Sequence, residues 1–503
     1  MHSPEQPVPD ATSHLLPVSR RSLLKGIAVA GAGVAIAELT GCSSSSKSTT
    51  PATPTTGGRS TSTSTPSPSP STIPQVLRRP GSRPNPTLPE GTDMLPKIEH
   101  IVVVMMENHS FDGRFGMLGR GDGFKLDAGG KPLDANPMPD GRLLRAFHMP
   151  STCQLNGAPG QNWVASHTSF DNGRNDGFVR ASGPVAMGYW DETDIPFYYG
   201  LAKTFPLCDR YFCSVLAQTY PNRRFLIAAT ASGTVTTETS NLSKFPPPNG
   251  TILDRLHAHG ITWRDYATDL PGIDVILGNA SKYGKNVSLI DQFYKDAAAG
   301  SLPAVSFVDP RFGGDATHPG ESEEDNDDIR YGENFVSKVV NAVFQSPNWK
   351  NTVLVYTYDE HGGYYDHVAP PPAVKPDNTP PGADQPGITG AYDRYGFRVP
   401  TVIVSPFAKR DYVSHQVHDH TSILKLIETK WNLGALTYRD ANASNLLDSL
   451  DLDGPPAFAE PPTLPAPGTA GLCTPGNAGG SIPPSASIVP ASQASSLRIG
   501  ATA

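Results

Sequence analysis

Two stretches far apart in the chain set acids and amides at the ends of apolar runs. In Ile101–Gly116, IVVVMMENHSFDGRFG, the run from Ile101 to Val104 leads into Glu107-Asn108, then His109 and Asp112. In Thr352–Pro371, TVLVYTYDEHGGYYDHVAPP, a β-branched and aromatic run empties into Asp359-Glu360-His361. Gly362-Gly363 then turns the chain, and Asp366-His367 follows. An adjacent carboxylate and carboxamide can give a hard cation two oxygen ligands. Taken alone, either stretch is a strand and a polar loop. Taken together, two buried strands of one sheet bring Glu107, Asn108, Asp359 and Glu360 to one edge. Burying unpaired carboxylates is costly, so a divalent cation is the fitting partner. Oxygen ligands suit Ca, Mg or Mn, and neighbouring His admits Zn.

A third stretch, Ser214–Ile227, supplies a hydroxyl. Thr219 falls in the cap region of a predicted helix, with Pro221 in the first turn and Phe225–Ala229 on the buried face. A hydroxyl there meets free backbone N–H groups and the positive dipole end, which suits a phosphate or an activated alkoxide. The alternative is a Thr that only caps. Asn222, Arg223, His167 and Asp176 are candidates for substrate contact, and His318, His361 and His367 are candidate imidazoles around a phosphate. The acid run Glu321–Asp328, after His318-Pro319-Gly320, reads as a solvated loop.

These residues need a frame. Strands are expected at 101–106, 205–212, 262–266, 304–308, 353–358 and 399–404. Helices are expected at 197–202, 251–260, 333–344 and 421–431, the last with Thr421 at its start. Buried strands alternating with helices indicate an α/β fold, a mostly parallel sheet sandwiched by helices. Ligand sites of such sheets lie at the carboxyl ends of the strands.

The chain has 503 residues with 51 Pro and 48 Gly, and its formal charge of −8 argues against nucleic acid as a partner. Residues 1–42 read as an export signal. Ser19-Arg20-Arg21-Ser22-Leu23-Leu24-Lys25 has the twin-arginine form, a short apolar segment follows, and Leu39-Thr40-Gly41-Cys42 looks like a lipobox. Cys42 is then the expected lipid attachment site, tethering the chain to a membrane at the cell envelope rather than spanning it. Residues 43–95 are Ser/Thr/Pro-rich and expected to be a disordered stalk. Residues 96–459 form the catalytic body, and 460–503 an irregular Pro/Gly/Ala/Ser-rich tail. Cys153, Cys208, Cys213 and Cys473 remain, with three pairings open.

The motifs resemble those of the bacterial phosphoesterase family of phospholipases C and acid phosphatases, within the alkaline-phosphatase-like superfamily. The resemblance covers roughly Lys97 to Glu428. It is carried by Ile98-Glu99-His100 through Glu107-Asn108 and Ser110-Phe111-Asp112, by Thr219 with Pro221-Asn222-Arg223, and by Asp309-Pro310 with His318-Pro319. Asp359-Glu360 through Tyr365-Asp366-His367-Val368 and Asp419-His420-Thr421-Ser422 complete it. It implies that Glu107, Asn108, Asp359 and Glu360 hold a divalent metal with Thr219, that Thr219 is the nucleophile, and that His318 with His361 or His367 lies around the phosphate. Met106, His109, Gly113-Arg114 and Ala217-Gln218 depart from the family's usual residues, which bears on substrate preference. The implied activity is hydrolysis of a phospholipid diester through a phosphothreonine. A broad phosphomonoesterase acting on small phosphate esters is the alternative, and an inactive surface binding protein a third reading.

Overall fold

The strand β1 (His100–Met106) is buried at every residue. It pairs in parallel with β10 (Thr352–Tyr358) along its whole length, His100 opposite Thr352 and Met106 opposite Tyr358. Its other edge pairs in parallel with β9 (Val305–Asp309). Outward from β9 lie β7 (Trp263–Ala267) and β8 (Val287–Leu289). Outward from β10 lie β11 (Val402–Val404), β6 (Leu207–Cys208) and β12 (Val413–Ser414). In this eight-stranded sheet β11 alone runs against its neighbours. Apolar side chains on both faces of β1 and β10 leave no wet side, so the sheet must be covered by helices. The computed structural model describes residues 76–154, 159–239, 244–276, 278–315, 317–324, 327–474 and 481–500.

The helices do the covering. Helix α1 (Phe111–Phe115) follows β1, with Ser110 Oγ accepting from Gly113 N at 3.0 Å. Helix α2 is Trp163–Phe170 and α3 is Thr219–Ala228. Helix α4 (Arg330–Gln345) buries Phe335, Val336, Val339, Val340 and Val343, the spacing of one helical face. Helix α5 (His420–Trp431) is buried at every position. It starts at Asp419 rather than Thr421: Asp419 and Ser422 form the capping box, and Thr421 Oγ1 donates to Asp419. Two acceptor oxygens on a short side chain satisfy more free N–H groups than one hydroxyl. Among the described residues no helix is long and apolar enough to cross a membrane.

The ends of the body differ from expectation. Residues 76–95, expected in the stalk, pack on α5: Gly91 N donates to Trp431 O at 2.9 Å and Asn432 Nδ2 donates to Asn85, Leu88 and Pro89 carbonyls. The tail is also structured. Its β13 (Ile488–Val489) and β14 (Arg498–Ile499) flank β3 (Leu143–Arg145) and β2 (Asp134–Pro137) in a second sheet, order β13-β3-β2-β14. Arg498 meets the buried Asp134 at 2.6 Å. A Pro-rich backbone has few donors of its own, so here its carbonyls and remaining N–H groups are satisfied by the body's side chains. Cys153 is joined to Cys473, which fixes the pairing; Cys208 and Cys213 are buried thiols. The expected export signal with Cys42, and residues 43–75, lie outside the described residues.

Candidate active site

Because β1 and β10 run in register, Glu107-Asn108 and Asp359-Glu360 leave the sheet side by side. The two turns are tied together: Asp359 N donates to Met106 O at 3.0 Å, and Asn108 N donates to Asp359 Oδ1 at 3.2 Å. All four side chains are buried. Asn108 has φ 67, a left-handed conformation that Asn tolerates. Its carbonyl faces Gly362, where a Cβ would come within 1.8 Å of Asn108 O. With φ 64, Gly362 is therefore required twice, by its own backbone and by its neighbour's.

Helix α3 points its first turn at these ends. Thr219 is its first residue, and Gln218, not Thr219, occupies the cap position. Thr219 is buried, with 7% of its surface exposed. One turn on, and on the same face, Arg223 Nε donates to Asp359 Oδ2 at 3.0 Å. Its Nη2 donates to the Met106 and Met105 carbonyls and lies 3.6 Å from Glu107 Oε1. The helix is thus clamped to both strand ends by one guanidinium. Asn222 works on the preceding loop: its Oδ1 accepts from Val215 N, and its Nδ2 donates to Val215, Ala217 and Gln218 carbonyls. Asn222 uses its side-chain amide on the loop, whereas Arg223 Nη1 makes no hydrogen bond among the described residues and lies 4.0 Å from Asp309 Oδ1, so Arg223 both positions the acids and keeps donors for a substrate.

Burial pushes the Glu107 carboxyl well above the usual range; the charges of Glu324 and Asp359 add to this, and Arg223 opposes it. Glu360 is likewise pushed well up, by burial and then by Asp359. Among the described residues, Asn108 Oδ1 and Nδ2 and Glu360 Oε1 are buried without a hydrogen-bond partner. Orphaned oxygens beside raised carboxyls fit a divalent cation, whose charge would favour their ionised forms. A tighter trio, His148, Asp191 and Asp194, has donor atoms within 4.8 Å of one another. It lies nearer the surface, and its atoms are already engaged: His148 Nε2 meets Asp194 at 2.7 Å, and Asp191 Oδ1 accepts from Thr193. The strand-end set is wider because the Arg223 guanidinium reaches into it. The orphaned buried oxygens make it the better candidate for a metal site.

The profile of the Phosphoesterase family matches residues 98–434, which span Glu107, Asn108, Thr219, Asp359 and Glu360. The chain belongs to the Phosphoesterase family. It is similar to phospholipase C B of Mycobacterium tuberculosis, 29% identical over 432 residues that cover 73% of this chain and 80% of the relative. It is 31% identical to non-specific phospholipase C6 of Arabidopsis thaliana over 395 residues, 73% of this chain and 75% of the relative. Non-hemolytic phospholipase C of Pseudomonas aeruginosa is also 31% identical, over 67% of this chain and 54% of its own length. Among solved structures, an alkaline phosphatase superfamily protein from Vibrio parahaemolyticus matches 67% of this chain and 77% of its own at TM-score 0.30 and 11% identity.

The other predicted residues of this phosphoesterase fall in three places. His361 adjoins the centre: Nδ1 lies 3.1 Å from Glu360 Oε2, its Nε2 has no partner among the described residues, and burial pushes it down to about 3. His361 is therefore neutral at physiological pH. His367 sits in an ion network, with Nδ1 2.7 Å from Asp112 and Nε2 3.2 Å from Asp122. Arg398 braces the same network through Asp112 and Asp366. Burial alone would lower His367, but the two carboxylates push it up to about 9. With both ring nitrogens held, His367 has none left for a phosphate and serves the loop's structure. His318 is exposed on the loop after β9, its Nδ1 2.9 Å from Thr317 Oγ1, with no contact to the strand-end acids.

His167 and Asp176 are not at the centre either. On α2, His167 stacks on Trp163 at 4.3 Å and bonds its carbonyl; Asp176 pairs with Arg174 at 3.3 Å. Local side-chain partners within one or two turns explain both.

Sequence reasoning passed over two groups. His420 Nε2 donates to Asp359 O at 2.7 Å, bracing the backbone of the strand-end acid from behind. The loop read as solvated is partly buried: Glu323 is 2% exposed and bound by Arg114, Tyr198 and Tyr358. Glu324, next to it, is exposed. Partial withdrawal from water and then the charge of Asp359 push its carboxyl up to about 6, an effect that solvent partly screens. Nothing in the acid-rich run Glu321–Asp328 marks which member turns inward.

Proposed function

We propose that this phosphoesterase is an exported, metal-dependent phosphodiesterase of the phospholipase C type. The observation that carries the reading is the side-by-side exit of Glu107-Asn108 and Asp359-Glu360 from the sheet, joined through Arg223 to the helix that begins with Thr219. Relatives named phospholipase C, matched over most of their length, supply the substrate class. Export by the twin-arginine route and a lipid on Cys42 complete the proposal and place the enzyme at a membrane.

The residues that would hold the divalent ion are Glu107, Asn108, Asp359 and Glu360 with the Thr219 hydroxyl. Bound there, such an ion supplies Lewis-acid polarisation and offsets the acids' charge. The Thr219 oxygen attacks phosphorus, and the bond from phosphorus to the diacylglycerol oxygen breaks. The hydroxyl proton is lost from Thr219 and one is gained by the departing alkoxide. The free N–H groups of the first turn of α3 and its dipole stabilise the anionic phosphoryl group. Water then cleaves the phosphothreonine and releases the phosphorylated headgroup. Arg223 and Asn222 hold nucleophile and acids in place throughout, so positioning is a large share of the rate.

The test is hydrolysis of a phosphatidylcholine vesicle beside p-nitrophenyl phosphate, with and without a chelator. Chelator-sensitive release of diacylglycerol is expected. Turnover of the monoester alone would assign the enzyme as a phosphomonoesterase instead.

A further inference from the structure

The turn that begins with Asp359-Glu360 is held at its far end from outside the central sheet. Asn175 Nδ2 donates to Asp366 O at 3.1 Å, and Asn136 Nδ2, on β2, donates to Asn175 O at 3.0 Å. Asn136 Oδ1 in turn accepts from Phe178 N at 2.9 Å, so the loop carrying Asn175 is fastened to β2 at two points. Two residues back on β2, Asp134 Oδ1 accepts from the Tyr365 hydroxyl at 3.5 Å, and Tyr365 O accepts from Ser110 Oγ at 2.7 Å. Residues i and i+2 of a strand share a face, so Asp134 and Asn136 serve the turn together. Asp134 is fully buried, and a buried carboxylate without a partner is costly. Its cation comes from the tail: Arg498 Nη2 donates to Asp134 Oδ2 at 2.6 Å, across a separation of 364 residues.

The tail is anchored so as to bring Arg498 there. Cys473 is bonded to Cys153, and Gly468 N donates to Glu333 Oε2 at 2.8 Å. Strand β14 then lies parallel to β2 with Arg498 opposite Asp134, and Arg498 N donates to Leu133 O at 2.8 Å. Gly500, at φ 72, closes on the loop that carries Asn175: a Cβ there would stand 2.0 Å from Arg174 O. A tail that merely trails needs neither a buried ion pair nor a glycine at such a contact. We infer that Arg498 is a positioning residue for the phosphoesterase reaction: by pairing with Asp134 it holds the turn that carries Asp359 and Glu360. The inference rests on the strand-end site proposed above, and it adds a residue beyond 98–434, the part of the chain that the family profile matches.

The test is kcat and KM of the full chain on a phosphocholine diester and on p-nitrophenyl phosphate. The proteins are wild type, Arg498→Met, Arg498→Gln, Arg498→Met combined with Asp134→Asn, and Arg142→Met. Melting temperature and circular dichroism report folding. Arg142 pairs with Asp140 on the exposed turn between β2 and β3 and serves as the control. A misplacement of about 1 Å can cost on the order of 100-fold in rate, so Arg498→Met is expected to lower kcat by about tenfold or more while KM stays within about threefold. Adding Asp134→Asn leaves no carboxylate unpaired and keeps an acceptor for Tyr365, so kcat should return to within about threefold of wild type. Arg142→Met should match wild type. Where Arg498→Met does not fold, Arg498→Gln, which keeps a donor without the charge, is read in its place. Loss of melting temperature alone, a rise in KM alone, or a fall in kcat that Asp134→Asn does not rescue would overturn the role of Arg498 and leave the strand-end site standing. Wild type that turns over neither substrate would overturn both.

Discussion

Replacing Gly362 with Ala strikes the contact on which the site's geometry depends. The new Cβ would lie 1.8 Å from the Asn108 carbonyl oxygen, 2.4 Å from its carbonyl carbon and 2.9 Å from its Cα. All three are backbone atoms, so no rotamer can relieve the clash. The two turns must part by more than about 1 Å to reach ordinary nonbonded separation. The left-handed backbone at Gly362 adds about 1–2 kcal/mol for any residue with a Cβ. Asn108 and Glu360 flank this contact, so the shift falls on two proposed ligands at once. A misplacement of about 1 Å can cost on the order of 100-fold in rate. Gly387→Ala is the control: it too has a left-handed φ of 87, but nothing lies within 4 Å of its Cβ. It should lose only stability, about 1–2 kcal/mol, and keep its turnover. Measuring kcat/KM on a phosphocholine diester, with thermal unfolding of each variant, separates the two effects. Gly362→Ala with turnover within twofold of wild type would refute the claim that this backbone contact sets the site.

Thr219→Ala should lower kcat by several powers of ten in a folded protein, and Thr219→Ser should keep a substantial part, because the hydroxyl remains; near-wild-type turnover of the Ala variant ends the nucleophile assignment. Asp359→Ala should contain less divalent metal than wild type by elemental analysis, and it should also free Arg223, so equal metal content would remove Asp359 from the ligand set. Glu333 is pushed up to about 7 by burial, while its oxygens accept from Phe197 N and Gly468 N. A carboxyl with a raised folded pKa holds its proton in the native state, so its contribution to stability is present below the unfolded value and is lost as pH rises through about 7. The melting temperature of wild type should therefore fall more steeply between pH 5 and 8 than that of Glu333→Gln; parallel curves would contradict this.

The parts of the fold that the sequence announced are those with period and burial. Continuous apolar runs at Ile101–Val104 and Val353–Tyr358 marked the two central strands, and acids at their ends marked the site, because a strand's direction fixes where its next residues emerge. The motif spacing also pointed to the family. What stayed hidden depends on contacts across the chain. Whether His367 faces a phosphate or Asp112 is decided by a network that also includes Asp122 and Arg398. The packing of residues 76–95 and of the tail has no apolar period to betray it, since side-chain amides and carboxylates of the body hold those Pro-rich backbones. The inward turn of Glu323 is hidden for the same reason: it is held by Arg114, Tyr198 and Tyr358, and none of these is near it in sequence.

The central position of β1 also has a consequence in time. Its two sheet neighbours are made long after it; Asn108 and its partner Asp359 are 251 residues apart. At roughly 5–20 residues per second of synthesis, tens of seconds pass before β10 exists to pair with it. Throughout that interval an apolar strand with two bare edges is present on the nascent chain, the kind of segment that adds to other chains. Local pairing cannot shield it, and the long sequence separation makes its native pairing slow. Production of this protein should therefore be limited by what happens to β1 before β9 and β10 arrive. A chaperone bound to the nascent chain should raise the yield of soluble protein more than any stabilisation of the finished fold.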